Sequence, residues 1–529
     1  MTLRMPNRWV GAALAIVALV VGASQIDCAG CQASNQQGFT VLIDAKPKGL
    51  DPRFATSDAS AKLIGLLHSG LVSIDTPDGE PELDLAESIE QPTPTRYDVT
   101  LRDDIYFHDG EPVQADDVEY TLTRLDSDIV QSPYAQTDRL IDSFEIEDSR
   151  HFTIELAEPH APFLGKLAMG IVPKHRCAGH SECPSPPIGA GPFRFESKDG
   201  NHRYVFRPFE RYHGGKPYID RLIFKVVQDD NTRLLALLGK SAELVQNAVS
   251  PLMLPVVRDT KGLEVRTAQS FKYTYLGFNL EHEVLKNRKV RAAIAYGIDR
   301  NAIIEHKFRG QATLATGMLA PGHWAYEPDV KQYGYNPKRA RRLLDEAGYT
   351  KRGESPRFKL EFKVSASKFR RSVAELIAHH LRRIGIDVEV RSYEWGTFFS
   401  DIKSGNFEIT TLQWPSVMDP SLYTWIFHSK NIPSAENRSA GANRGAYRNP
   451  EIDRLLEAGE RETDRQQRKE IYSDVQKILA RDLPYVSLWH EHNIAILRQG
   501  VEDYYMTPNA RFEALKQTKP PGFSHDADR

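Results

Sequence analysis

The residues best suited to chemistry in this sequence are four cysteines and a short histidine triplet. Cys177 and Cys183 lie six apart in HRCAGHSECPSPP, a polar, Pro-rich stretch. Two thiols so placed form a local disulfide in an oxidising compartment. The loop is short, which puts the chain-entropy gain at about 2 kcal/mol. With His175 and His180 the same thiols could instead hold a metal, although the close Cys pair of common zinc sites is missing. His490-Glu491-His492 lacks the HExxH spacing that sets two imidazoles on one helical face, and no GxSxG elbow occurs. The triplet reads as a strand end near the surface. No metal, no cofactor and no enzymatic activity are expected, and a secreted hydrolase is disfavoured.

Other polar motifs have structural explanations. Phe107-His108-Asp109-Gly110 has turn chemistry, and Ala115-Asp116-Asp117 resembles a helix start with acids near its positive end. Gly189-Ala190-Gly191 lacks the third glycine and the strand-to-helix setting of a dinucleotide loop, which leaves a backbone crossing. Arg291 and Asp299-Arg300 fit ion pairing on a helix surface.

The elements that position these residues follow an export signal. Arg4 and Arg8 precede an almost wholly apolar run from Trp9 to Ala23 that ends in Val21-Gly22-Ala23. The run is shorter than the roughly 20 apolar residues of a membrane span, which favours a cleaved signal over 1–30 rather than an anchor. Two processing routes compete. Cys28-Ala29-Gly30-Cys31 resembles a lipobox, with Cys28 where leucine is usual, and would make Cys31 the lipidated first residue. The rival route cuts after Ala23. Lipidation of Cys31 is favoured, with residues 31–37 as a polar tether that holds an extracytoplasmic protein at the membrane.

Without residues 1–30 the formal charge changes from 68 − 71 = −3 to 66 − 70 = −4, because Arg4, Arg8 and Asp27 are removed. Neither a basic excess nor a basic stripe is present, so nucleic acid is disfavoured as a partner. Mean hydropathy is -0.47, and 529 residues exceed what one core supports, so two or three domains are expected in a soluble mature chain.

Asn336-Pro337 opens a helix that Gly348 closes, and Asn449-Pro450 opens another. A longer amphipathic helix runs from about Asp464 to Arg481, with Pro484 beyond it. Strands are expected at 39–43, 221–227, 358–364, 386–391, 407–412 and 485–488, from β-branched and aromatic enrichment. Interspersed helices and strands indicate an α/β protein with mixed sheets.

Eight motifs in order carry a resemblance to a known family. They are Leu50-Asp51-Pro52, Leu85-Ala86-Glu87-Ser88, Phe107 to Val118, Gly189 to Phe193, Tyr275 to Asn279, Val290 to Arg300, Ala340 to Gly348, and Tyr447 to Asp453. From about Thr40 to about Tyr505 the chain resembles the bacterial extracellular solute-binding proteins of family 5, the oligopeptide and dipeptide receptors of ABC importers. The resemblance implies a periplasmic binding protein-like clamp of class II (type 2), two lobes with an extra inserted domain. Residues 38–72, 186–267 and 498–529 would form domain I, 73–185 the inserted domain II, and 268–497 domain III. Hinge closure around a ligand between domains I and III would deliver it to membrane permease subunits, the receptor itself remaining a monomer.

The same resemblance implies the site. In the family's peptide receptors the segment matching Thr411 to Pro420 lines the cleft, where backbone beside Trp414 pairs with an extended ligand and a nearby acid, matched by Asp419, takes its ammonium. Two departures bear on this. Pro415 has no N–H to donate, and Gln413 stands where glycine is usual. Across the cleft, Thr56-Ser57-Asp58 matches a rim segment, with Asp58 as a second acid. The expected ligand is a peptide; relatives with nickel chelates, sugars or haem, and a lipid-anchored sensor or chaperone, are the alternatives.

Overall fold

The computed structural model describes residues 38–523 except positions 77, 201, 352 and 435–440. The signal, Cys28, the proposed lipidation at Cys31 and the tether to residue 37 therefore lie outside the described residues.

Two mixed sheets dominate. The first has seven strands in the order Leu263–Ala268, Asn493–Arg498, Leu244–Gln246, Phe39–Ile43, Leu222–Val226, Arg203–Pro208 and Phe193–Asp199. Phe39–Ile43 runs parallel to both its neighbours and is buried throughout. Its residues alternate between two cores: Phe39, Val41 and Ile43 face one, Leu42 the other. The second sheet has six strands in the order Ala312–Leu314, Tyr485–Glu491, Tyr273–Phe278, Ile409–Trp414, Phe358–Ser365 and Ile386–Tyr393. Tyr273 and Tyr275 pack on one of its faces, Leu276 and Phe278 on the other. A four-stranded antiparallel sheet spans Ala86 to Leu156 over its own core.

Helix boundaries follow capping. Asn336, Asn449 and Asp464 each accept a backbone N–H from the first turn of the helices Pro337–Glu346, Pro450–Arg461 and Arg465–Asp482. Gly348 takes φ +91 just past the first of them, the conformation that glycine adopts without a Cβ penalty. Cys177 and Cys183 are bonded, with Cα atoms 4.5 Å apart.

Three expectations change. Asn493–Arg498 belongs to the first sheet, so the chain re-enters that sheet five residues ahead of the expected boundary after 497. His490 is buried rather than near the surface: Nδ1 lies 3.0 Å from the Lys272 carbonyl, and burial pushes its pKa down to about 4. Arg291 and Arg300 are buried too. Arg291 donates to the carbonyls of Leu285, Lys286, Asp482 and Leu483 at 2.6–2.9 Å. Arg300 donates to those of Ala315, Tyr333 and Ser487. Five fixed N–H donors make a guanidinium a tie between loops, and Asp299 serves as a helix cap.

The crossing from the inserted sheet back to the first core depends on glycine. A Cβ on Gly191 would sit 2.5 Å from the Leu67 carbonyl carbon and 2.7 Å from the His68 nitrogen. Both are backbone atoms that cannot rotate away. Gly191→Ala is expected to destabilise the protein by about 1–3 kcal/mol in urea unfolding; an unchanged midpoint would show that this contact is loose.

Candidate functional site

Strand Ile409–Trp414 pairs along its whole length with Tyr273–Phe278, Tyr273 opposite Trp414. On its other side only Ile409 and Thr410 meet Phe358–Ser365. From Thr411 to Trp414 that edge has no strand partner among the described residues, the arrangement on which an extended chain can add by main-chain pairing. Pro415, exposed and without an N–H, ends the edge.

Gln413 turns sideways. Its Oε1 accepts from Arg370 at 2.9 Å, and its Nε2 lies 3.4 Å from Thr274 Oγ1. Arg370, on helix Lys368–Arg383, also pairs with Glu491 at 3.1 Å. Trp414 is half-buried against Trp425 at 5.5 Å between centroids. Its Nε1 is buried with no hydrogen-bond partner among the described residues. The Arg444 guanidinium lies 5.6 Å from the Trp414 ring and 4.9 Å from that of Phe399.

Ser57 caps helix Asp58–Leu67 by accepting from Ser60 N at 3.2 Å, and Asp58 pairs with Lys62 at 2.7 Å. Burial works to raise the Asp58 pKa, but Lys62, Arg511 and Lys272 outweigh it and hold the carboxyl below its usual range. Burial lowers the Lys272 pKa to about 8 against the opposing charge of Glu491. Asp58, Lys272, Glu491 and Arg370 thus alternate in sign from the first lobe to the second, with Gln413 at the end. Ser57, Asp58 and Gln413 are positions to which the family resemblance points; Glu491 lies in the triplet read as a strand end, and Lys272 and Arg370 belong to no motif and look like ordinary strand-end and helix-surface charges.

Asp419 departs from its expected role. Arg468 donates to both carboxylate oxygens, at 2.9 and 2.7 Å, and Ser421 N donates to Oδ1 at 2.8 Å. Arg468 is itself fixed by the Gly459 carbonyl at 2.9 Å. Burial alone would raise the Asp419 pKa; Arg468 overrides it and keeps the group ionised. The carboxylate expected to stand free for a ligand ammonium is already committed to a bidentate pair. Asp419 lines a cavity of about 380 Å³ with Glu80, Lys166, Trp324 and Arg468, whereas Trp414 packs beside Trp425 and Arg444.

Residues 80–434 match the profile described as bacterial extracellular solute-binding proteins, family 5 middle. The chain is 26% identical over 516 residues to the oligopeptide-binding protein AppA of Bacillus subtilis, covering 91% of this chain and 93% of AppA. It is 29% identical over 514 residues to a probable di/tripeptide-binding protein of Pseudomonas aeruginosa, covering 89% and 94%. The solved structure of Bacillus subtilis AppA in complex with a nonapeptide superposes with a TM-score of 0.77 at 25% identity, over 91% of this chain and 98% of that one.

Removing one member of the Asp419–Arg468 pair leaves the other uncompensated. Because Asp419 is only half-buried, Asp419→Asn is expected to cost about 2 kcal/mol at neutral pH, below the usual loss for a fully buried pair. The folded pKa is depressed, so this stability is present above the unfolded carboxylate value near 3.9 and is lost as pH falls through the folded value. Chemical denaturation at pH 7 and pH 3 checks it. A gap between wild type and variant that does not shrink on acidification would refute the ion-pair account.

Proposed function

This chain belongs to the bacterial extracellular solute-binding proteins of family 5, and we propose from that premise that it captures di- and oligopeptides outside the inner membrane for an ABC importer. The observation that carries the peptide is the unpaired strand edge from Thr411 to Trp414, beside a polar tie at Gln413. An added strand gains affinity from its main chain and tolerates many side chains, which suits a receptor for peptides of varied sequence. The names of two relatives, oligopeptide-binding and di/tripeptide-binding, support the same class of ligand.

In this proposal Trp414 and Gln413 line the peptide edge and Pro415 ends it. Ser57 and Asp58 form the opposite rim. The lobes are those organised on the two large sheets, with the four-stranded unit as the insert, and they close about the two strand crossings. The protein acts as a monomer, performs no chemistry on its ligand and hands it to permease subunits. Lipidation at Cys31 is the tether we favour; mass spectrometry of the mature N-terminus tests it, and an unmodified Ser24 start would exclude it.

Calorimetry of the purified mature protein with di-, tri- and nonapeptides is expected to show binding, with compaction in small-angle scattering and intact peptide recovered afterwards. N-methylation of a central peptide bond removes one backbone donor and is expected to weaken binding by about 0.5–1.5 kcal/mol, more than exchange of a side chain at the same position. Failure of every peptide to bind, or indifference to N-methylation at each position, would sink the added-strand proposal.

A further inference from the structure

Two cavities, of about 360 Å³ and 380 Å³, share a wall: Ile74, Gly165 and Lys166 line both. Each has the size of a small-ligand site. The carboxylates around them already have partners. Glu80 pairs with Arg465 at 2.6 Å, Asp419 with Arg468 at 2.7 Å, Asp84 with His213 at 2.7 Å and Glu513 with Lys516 at 2.9 Å. Asp75 accepts from Asn509 Nδ2, and Arg511 is the cation that acts on it most strongly.

Lys166 differs from these groups. Among the described residues its half-buried ammonium has neither an ion pair nor a hydrogen bond. The acids that act on it are Asp419, whose two oxygens both lie on Arg468, and Glu460. Burial prevails over both and holds the Lys166 pKa below its usual value. A cation partly shielded from water and without a partner gains from an incoming anion. Tyr97, Leu164 and Trp324 line the second cavity beside the already paired charges of Glu80, Asp419, Arg465 and Arg468.

We propose that Lys166 receives a carboxylate of the captured solute, making the chamber on its two sides selective for ligands with a negative group. The assignment rests on the peptide-capture proposal, in which that carboxylate is the peptide's C-terminus or an acidic side chain. The recognising residue then lies on the inserted segment rather than on the strand edge, so backbone and charge are read by different parts of the protein.

Reductive dimethylation with labelled formaldehyde preserves the lysine charge and gives Lys166 an NMR signal, identified by its disappearance in Lys166→Arg. A tripeptide free acid at saturation is expected to move that signal. Lys166→Met is expected to weaken the free acid about tenfold while changing the C-terminal amide by less than about twofold. If the free acid and its amide behave alike but an amidated tripeptide gains a comparable Lys166-dependent advantage from a Glu side chain, the side chain is the carboxylate. Citrate is the second probe: a Lys166 shift with citrate but no binding of any peptide keeps the subsite and removes the peptide proposal. A Lys166 signal unmoved by bound peptide, or by citrate where no peptide binds, overturns the assignment, as do equal losses for charged and uncharged peptides.

Discussion

Everything functional in this fold depends on the chain passing between its two large sheets at two adjacent places. One crossing joins Leu263–Ala268 to Tyr273–Phe278, the other joins Tyr485–Glu491 to Asn493–Arg498. The crossings are bonded to each other: Ser270 Oγ donates to the Glu491 carbonyl, and His490 Nδ1 lies 3.0 Å from that of Lys272. Residues within a paired strand have little dihedral freedom, so a change in the angle between the sheets must be absorbed at 269–272 and at 492. Lys272 and Glu491 sit at that point, so their charges lie where the two sheets are joined.

Charge in the interior is handled by pairing or by carbonyls. Arg468 is spent on Asp419 and Gly459, and Arg291 and Arg300 on loop carbonyls, so none of the three is available to a solute. Such guanidiniums fix the distances between helices and strands. Among the described residues, the edge of Thr411–Trp414 has no strand partner and the Lys166 ammonium has no ion pair, whereas Asp58 and Arg370 are paired with Lys62 and Glu491.

The two departures from the family's pattern in the cleft have different weights. Gln413 introduces a side chain where glycine is usual, yet Arg370 and Thr274 hold it to the side, so the substitution adds a polar tie rather than a blockage. Pro415 cannot be compensated in this way, because the donor it lacks is on the backbone itself. In the proposed added-strand binding, a ligand would have one fewer hydrogen bond beyond Trp414 and would need its register set elsewhere.

The sequence by itself determined the local structure and the family. Caps at Asn336, Asn449 and Asp464, the β-branched run at 39–43 and the alternating Phe358, Leu360, Phe362 and Val364 specify their elements through contacts a few residues long. The motif order determined the clamp. The tertiary structure alone decided which charges are spent. Asp419 looks free in TLQWPSVMDP because its partner is Arg468, 49 residues on, and Arg291 looks exposed because the carbonyls it binds at 482 and 483 are 191 and 192 residues away. Lys166 carries no mark in its neighbourhood; that it has no ion pair among the described residues depends on Asp419 being taken by Arg468. Local propensity is written in neighbouring residues, whereas the pairing of charges depends on long-range packing that no single stretch of chain contains.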